Sequence, residues 1–245
     1  MSATERDGAD LRSSAPLVSI IIPVFNGERF LAEALGSVFA QDHRPIEVIV
    51  IDDGSTDAST AVARTFDEVV LVRTGHGGAA AARNLGLAHA TGSFLAFLDA
   101  DDLMTPGRLT AQLEYLRTHP ETGCVLMNQE LLIEPGATHP LWAPSGTPQD
   151  GISGVPPMTA LIRREVSELV GGFDPSYRVC HDTDWLFRLR EADVWIDVLP
   201  EVGVIRRIHG GNLTHRHRDV IRLELVRSVR GRVERQRSRR SEPVV

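Results

Sequence analysis

Apolar residues in this chain come in short solid runs, and several of those runs stop at a polar or acidic break. Leu17 to Ile22 runs into Pro23-Val24-Phe25-Asn26-Gly27, Ile46 to Ile51 into Asp52-Asp53-Gly54, and Phe94 to Leu98 into Asp99-Ala100-Asp101-Asp102. Runs this short and this apolar predict strands buried on both faces. Between the first two, Phe30, Leu31, Leu35, Val38 and Phe39 recur at helical spacing and predict a helix over 28–40. A helix over 58–66, a strand over 69–73 and a helix over 79–90 follow. Such strict alternation predicts an α/β fold, with a mostly parallel sheet flanked by helices. Ligands of such sheets bind beyond the carboxyl ends of the strands. Asn26, Asp52, Asp53, Arg73 and Asp99 to Asp102 stand at those ends.

Past residue 104 the pattern loosens. A helix is expected over 105–118, with Thr105 as cap and Pro106 at the first helical position. Strands are expected over 124–127, 158–162, 194–199 and 202–208, and helices over 163–170 and 182–191. Residues 132–155 are rich in Pro and Gly, hold Trp142, and read as a long excursion of the kind that often forms a functional lid. Residues 1–15 are polar and aperiodic, which predicts a disordered tail. Residues 16–215 then form one domain, in two parts, 16–122 and 123–215. Residues 216–245 are a basic C-terminal helix or tail.

Composition narrows the partners. The chain has 245 residues, 42% of them hydrophobic, and a formal net charge of −7, which argues against a nucleic-acid-binding surface. Cys124 and Cys180 are the two cysteines and lack metal-ligand spacing, so neither zinc nor a disulfide framework is expected, and Cys124 reads as a buried thiol. No apolar run approaches the roughly 20 residues of a membrane helix, and the N-terminus lacks the apolar core of a signal peptide. The expected location is the cytoplasm. Residues 216–240 hold ten Arg against Asp219, Glu224 and Glu234, with Ile221, Leu225, Val226, Val229 and Val233 as a partial apolar face. That tail reads either as a peripheral contact to the inner face of a membrane or to a partner, or as a terminal helix packed on its own domain.

The sharpest chemical signal is the carboxylate cluster Asp99, Asp101 and Asp102. Carboxylates crowded at a strand end repel one another unless a cation sits among them. Their hard oxygens suit Mg²⁺ or Mn²⁺. The plainer alternative is a solvated acidic turn that caps the next helix, a role Asp102 alone could fill. Arg83 falls in the first turn of its helix, where the helix dipole disfavours a cation, so an outside anionic partner is expected.

Pro23-Val-Phe-Asn26, Ile51-Asp-Asp-Gly-Ser-Thr-Asp57, Ala82-Arg-Asn-Leu-Gly86, Leu98-Asp-Ala-Asp-Asp102, Gly171-Gly-Phe-Asp174 and Asp182-Thr-Asp-Trp-Leu-Phe-Arg188 stand in that order. Together they resemble a family 2 glycosyltransferase, an inverting enzyme of GT-A fold, over roughly residues 16–210. The resemblance implies a nucleoside diphosphate sugar as donor and a hydroxyl acceptor, whether glycan, lipid-linked glycan, peptide or small molecule. It implies that Pro23, Val24, Phe25, Asp52, Asp53, Arg83, Asp99 and Ala100 hold the nucleotide sugar. Asp101 would coordinate Mn²⁺ or Mg²⁺ on the diphosphate, and His209 would add an imidazole ligand. Asp182 would be the general base, with Asp184 as the fallback. The family usually carries Glu before that base, and this chain carries His181. By position, His181 and Trp142 are expected near the acceptor.

Other readings stand beside this one. For Asp53 the alternative is a turn residue; for Arg83, a salt bridge to a strand-end Asp; for Asp184, a first-turn dipole contact. Asp57 is expected to cap its helix. Asn212-Leu213-Thr214 matches a glycosylation acceptor, which has no role in a cytoplasmic protein. Gly75-His-Gly77-Gly-Ala-Ala80 fits the dinucleotide pattern and would mean an NAD-dependent oxidoreductase. Loss of the acidic residue at His181 would mean a glycosyltransferase-like subunit that binds without turning over.

Overall fold

The computed structural model describes residues 15–138, 157–212 and 218–241. In chain order its elements are β1 (Val18–Val24), α1 (Leu31–Phe39), β2 (Ile46–Asp52), α2 (Ser59–Ala63), β3 (Val69–Arg73), α3 (Ala79–His89), β4 (Phe94–Phe97) and β5 (Leu103–Met104). Then come α4 (Arg108–Thr118), β6 (Thr122–Ile133), a 3-10 turn (Pro157–Thr159), β7 (Leu161–Arg163), α5 (Arg164–Val170), α6 (His181–Glu191), β8 (Trp195–Ile208) and α7 (Arg218–Ser241). The tail over residues 1–14, Trp142 and most of the Pro- and Gly-rich excursion lie outside the described residues.

The strands form one eight-stranded sheet in the order β3-β2-β1-β4-β7-β6-β8-β5. β3, β2, β1 and β4 run parallel, β7 runs against them, β6 and β8 resume the first direction, and β5 runs against β8. Side chains alternate across the central strands and supply two cores. Ile20, Ile22, Val48 and Val50 face α1 and α4, while Ile21, Ile49, Ile51 and Phe97 face α3 and α6. Strand ends are level: Val24 pairs with Asp52, and Asp52 with Arg73. The polar breaks of the sequence therefore meet at one edge.

Several expectations need correction. Thr105 does not cap α4, and Pro106 is not its first residue. Gly107 precedes α4 at φ 75°, a left-handed turn natural to glycine, and the Thr105 hydroxyl donates to the Val202 carbonyl instead. The reason is β5, a two-residue strand that pairs Leu103 with Ile205 and Met104 with Val204 and carries the chain across the sheet edge before a helix can start. The strand expected over 158–162 divides into the 3-10 turn and β7. The two late strands are one, β8, whose register against β6 slips between Leu199 and Val202.

α7 packs on its own domain. Arg235 binds Glu191 of α6 at 2.7 Å. The buried Glu224 carboxylate accepts the backbone N–H groups of Arg178, Val179 and Cys180, just ahead of α6. Asp57 is not the cap of α2, a position Ala58 holds; from one residue earlier it accepts the N–H of Ser59 and braces the entrance to the helix. Cys124 and Cys180 are buried free thiols, each pushed up to about 12, chiefly by burial. No helix among the described residues is long and apolar enough to cross a membrane.

Candidate active site

A cavity of about 850 Å³ opens at the carboxyl ends of β1, β2 and β4. Its floor is the β1 exit, Pro23 to Phe25, where the Phe25 ring stacks on His76 with centroids 4.1 Å apart. One wall is Asp53 with the start of α3, and the back is Asp99 to Asp102. Tyr177, His181 and Asp182 line the cavity as well, as do His209 and Asn212 after β8.

Asp52 and Asp53 part company. Asp53 lines the cavity and accepts the N–H groups of Gly77 and Gly78 at 2.7 and 2.8 Å. Asp52 does not line it. Its side chain is wholly buried, accepts from the Ser55 N–H and the Thr60 hydroxyl, and meets Arg73 at 3.2 Å. Burial pushes that carboxyl up, yet the bonds from Thr60 and Ser55 and the Arg73 charge hold it below its ordinary value. Asp52 is a structural brace of the β2 turn, which corrects its expected place on the nucleotide. Asp53 also disposes of the dinucleotide pattern: the amides that would cradle a pyrophosphate are already bound to a carboxylate, and the glycines follow β3 rather than the first strand.

Arg83 is buried and bridges two partners. Its Nη2 donates to Asp99 at 2.6 Å, and its Nη1 donates to His181 Nε2. The salt bridge anticipated as an alternative is therefore present, while Arg83 still borders the cavity. His181 packs edge-on to Phe173, with centroids 5.9 Å apart. Burial, then the neighbouring Arg83 charge, drives its pKa well below the ordinary value, so it is a neutral acceptor. Asp182, next in the chain, has its pKa raised. Burial is the main cause and Asp99 adds to it, against Arg83 and the Thr183 N–H. Asp184 lies outside the cavity, bonded to Arg188 at 2.9 Å and near Arg235, so it is no fallback base.

Asp99, Asp101 and Asp102 bring carboxylate oxygens within 4.8 Å of one another. A set of hard oxygens this close fits Mg²⁺ or Mn²⁺. Asp101 Oδ2 accepts from His209 Nε2 at 2.9 Å and from Asn212 Nδ2 at 3.0 Å. Gly211 N–H donates to His209 Nδ1, which leaves the ring proton on Nε2, facing Asp101. Asp102 is buried and accepts the Arg207 N–H at 2.8 Å. Burial first, then Asp101 and Asp99, raises its pKa well above the ordinary value. It fastens the turn to β8 rather than capping α4. Asn212, three residues after His209, supports both His209 and Asp101. Arg207 joins the site from β8. It ties the Asp101 carbonyl to Glu33 and Glu134 under the Phe30 ring, a long-range knot with no local signature.

Residues 19–169 match the model of Glycosyl transferase family 2. The chain belongs to that family. It is 31% identical over 215 residues to an uncharacterized glycosyltransferase of Rickettsia typhi, covering 82% of this chain and 67% of that protein. Its fold is that of S. aureus TarS 1-349, solved in complex with UDP-GlcNAc: TM-score 0.67 at 21% identity, covering 80% of this chain and 59% of that one. The mannosyltransferase PcManGT from Pyrobaculum calidifontis, solved with GDP-Man and Mn²⁺, matches at TM-score 0.61 and 23% identity, over 79% of this chain and 57% of that one. The chain thus spans about three fifths of the length of these solved structures. Both place it in the GT-A fold, as its motif order implied.

Proposed function

We propose that this domain transfers a sugar from a nucleoside diphosphate sugar to a hydroxyl acceptor, with inversion at the anomeric carbon and dependence on a divalent cation. The observation that carries this reading is the shared cavity: Asp99 and Asp101 on one wall and Asp182 on another, with Arg83 linking Asp99 to the residue before Asp182. Donor binding falls to Pro23, Val24, Phe25, Asp53, Arg83, Asp99 and Ala100. Asp101 and Asp99 would hold Mn²⁺ or Mg²⁺, and His209 would add its Nε2 in the tautomer that carries the ring proton on Nδ1, giving up the bond from Gly211. Such an ion supplies compensation for charge that develops on the departing diphosphate.

Asp182 is the base in this reading. Its carboxylate takes the acceptor hydroxyl proton as the oxygen bonds to the anomeric carbon and the bond to the diphosphate breaks. The raised pKa suits that work, since a carboxylate that holds a proton more strongly is a stronger base. His181, the basis for the binding-only alternative, is occupied as an uncharged partner of Arg83 and leaves Asp182 in the cavity. Residues 16–122 supply the donor side, 123–215 the acceptor side, and the basic segment from 216 an outward contact. A cytoplasmic location at the inner face of a membrane belongs to the same reading.

Calorimetric titration with UDP, dTDP and GDP, each with and without Mn²⁺, tests the donor site. Binding of one diphosphate only with metal is the expected result. A folded protein that binds none of the three refutes the reading. Nuclear magnetic resonance of the product's anomeric proton tests inversion.

A further inference from the structure

α7 has two unlike sides. Inward, Glu224 and Ser228 are buried, and Glu224 is bonded to the segment ahead of α6. Outward, the helix leaves large apolar side chains in solvent: Leu223 is 73% exposed, Leu225 41%, Val226 48%, Val229 51% and Val233 41%. Leu225, Val226, Val229 and Val233 share one side of the helix within about 100° and run about 12 Å along it. Leu223 and Val226 also rim a cleft between α7 and α6. Clustered apolar exposure of this kind marks an interaction surface.

The surroundings of the stripe say what covers it. Exposed Arg222 continues the stripe toward the helix start, and exposed Arg230 flanks it. With ten Arg against three acids, residues 216–240 carry +7, as positive as the whole chain is negative at −7. One of those acids, Glu224, is turned inward. A second copy of the chain would bring two arginine-rimmed faces together against their repulsion. A nucleic acid would meet the guanidinium groups with its phosphates but leave the valines wet. An anionic lipid surface meets both demands, with phosphates for the arginines and an apolar boundary for the stripe.

We propose that α7 seats this domain on an anionic membrane surface, with Leu225, Val226, Val229 and Val233 in the lipid interface and the flanking arginines on headgroup phosphates. The docking stands on α7 alone. Its consequence for substrate rests on the function proposed above. Because Glu224 clamps the backbone at Arg178, Val179 and Cys180, the docked helix fixes the cavity wall that carries Asp182 relative to the bilayer, which selects acceptors presented there, the lipid-linked class.

Flotation of the full chain with vesicles tests the docking, comparing equimolar phosphatidylglycerol and phosphatidylcholine with phosphatidylcholine alone, at low and high salt. The chain is expected to float with the anionic vesicles at low salt, and high salt or the neutral vesicles should reduce the bound fraction about tenfold. V229D/V233D and R222E/R230E should each lose binding by a similar factor while keeping the circular dichroism, melting temperature and nucleoside diphosphate affinity of the parent. No flotation with anionic vesicles overturns the proposal. So does equal flotation with both lipids, or a concentration-dependent dimer that V229D/V233D dissolves. Loss of nucleotide binding with flotation intact would count against the donor site and leave the docking standing.

Discussion

Glu224→Ala removes a carboxylate that reaches from α7 to bind three successive backbone N–H groups just ahead of α6. Its oxygens accept from Arg178 at 2.6 Å and from Val179 and Cys180 at 2.9 Å, and the residue is 8% exposed. Arg178 is exposed, so water can replace the carboxylate at that amide; Val179 and Cys180 are buried, so it cannot reach theirs. Two charge-assisted bonds at about 1.5 kcal/mol each put the cost of the Ala variant near 3 kcal/mol. Gln keeps one oxygen able to accept from both amides as a neutral group, so Glu224→Gln should cost about 1 kcal/mol. At about 2–4 °C per kcal/mol for a chain of this size, melting should fall by about 6–12 °C for Ala and about 2–4 °C for Gln. Because the clamped segment leads directly into Asp182, turnover should drop in both variants while nucleoside diphosphate affinity, set on the other walls, holds. Thermal melts and calorimetry read the two effects separately. An Ala variant that melts within about one degree of the parent would falsify the clamp.

Asp182→Asn should abolish transfer and leave melting at neutral pH equal or higher. A carboxyl whose folded pKa is raised adds stability below its ordinary pKa and loses it as pH rises through the raised value, so near neutrality its buried charge is a burden that Asn lifts. A matching fall in melting temperature would speak against this. In the parent, activity should rise with pH through that same raised value, as read from a pH–rate profile. Asp101→Ala should lose metal-dependent nucleotide binding in calorimetry and keep its fold; undiminished binding with Mn²⁺ dependence would remove Asp101 from the metal site. Gly86→Ala should destabilise by about 1–3 kcal/mol in urea unfolding, because the new methyl would overlap Ile21 Cγ2 across the α3–β1 contact, outweighing the better helix propensity of Ala.

What could be read from the sequence was what is local. β1 to β4 announce themselves as apolar runs, and the acidic breaks after β2 and β4 mark the cavity edge because a parallel sheet brings those ends together. Two acids at one break were harder to tell apart. Alternation would have done it: Asp52 shares its parity with Val48 and Val50, which face α1, whereas Asp53 shares that of Ile49 and Ile51, which face α3 and the cavity wall. β5 could not be seen, since a two-residue strand has no period and exists only through its pairing with β8. The same holds for Arg207 and Glu224, whose partners lie far away in the chain. His181 was visible as a departure from the family pattern, but its neutral pairing with Arg83 depends on burial, which no short motif encodes.

The Asp53 clamp on the start of α3 has a wider consequence. A helix N-terminus is the usual built-in seat for phosphate, and here the Gly77 and Gly78 amides are held by the protein's own carboxylate. If a cation at Asp99 and Asp101 then carries the diphosphate, apparent donor affinity tracks the free divalent ion concentration. A chelator would then act like a competitor for the donor, since the free divalent ion around the protein would set how much donor it can capture.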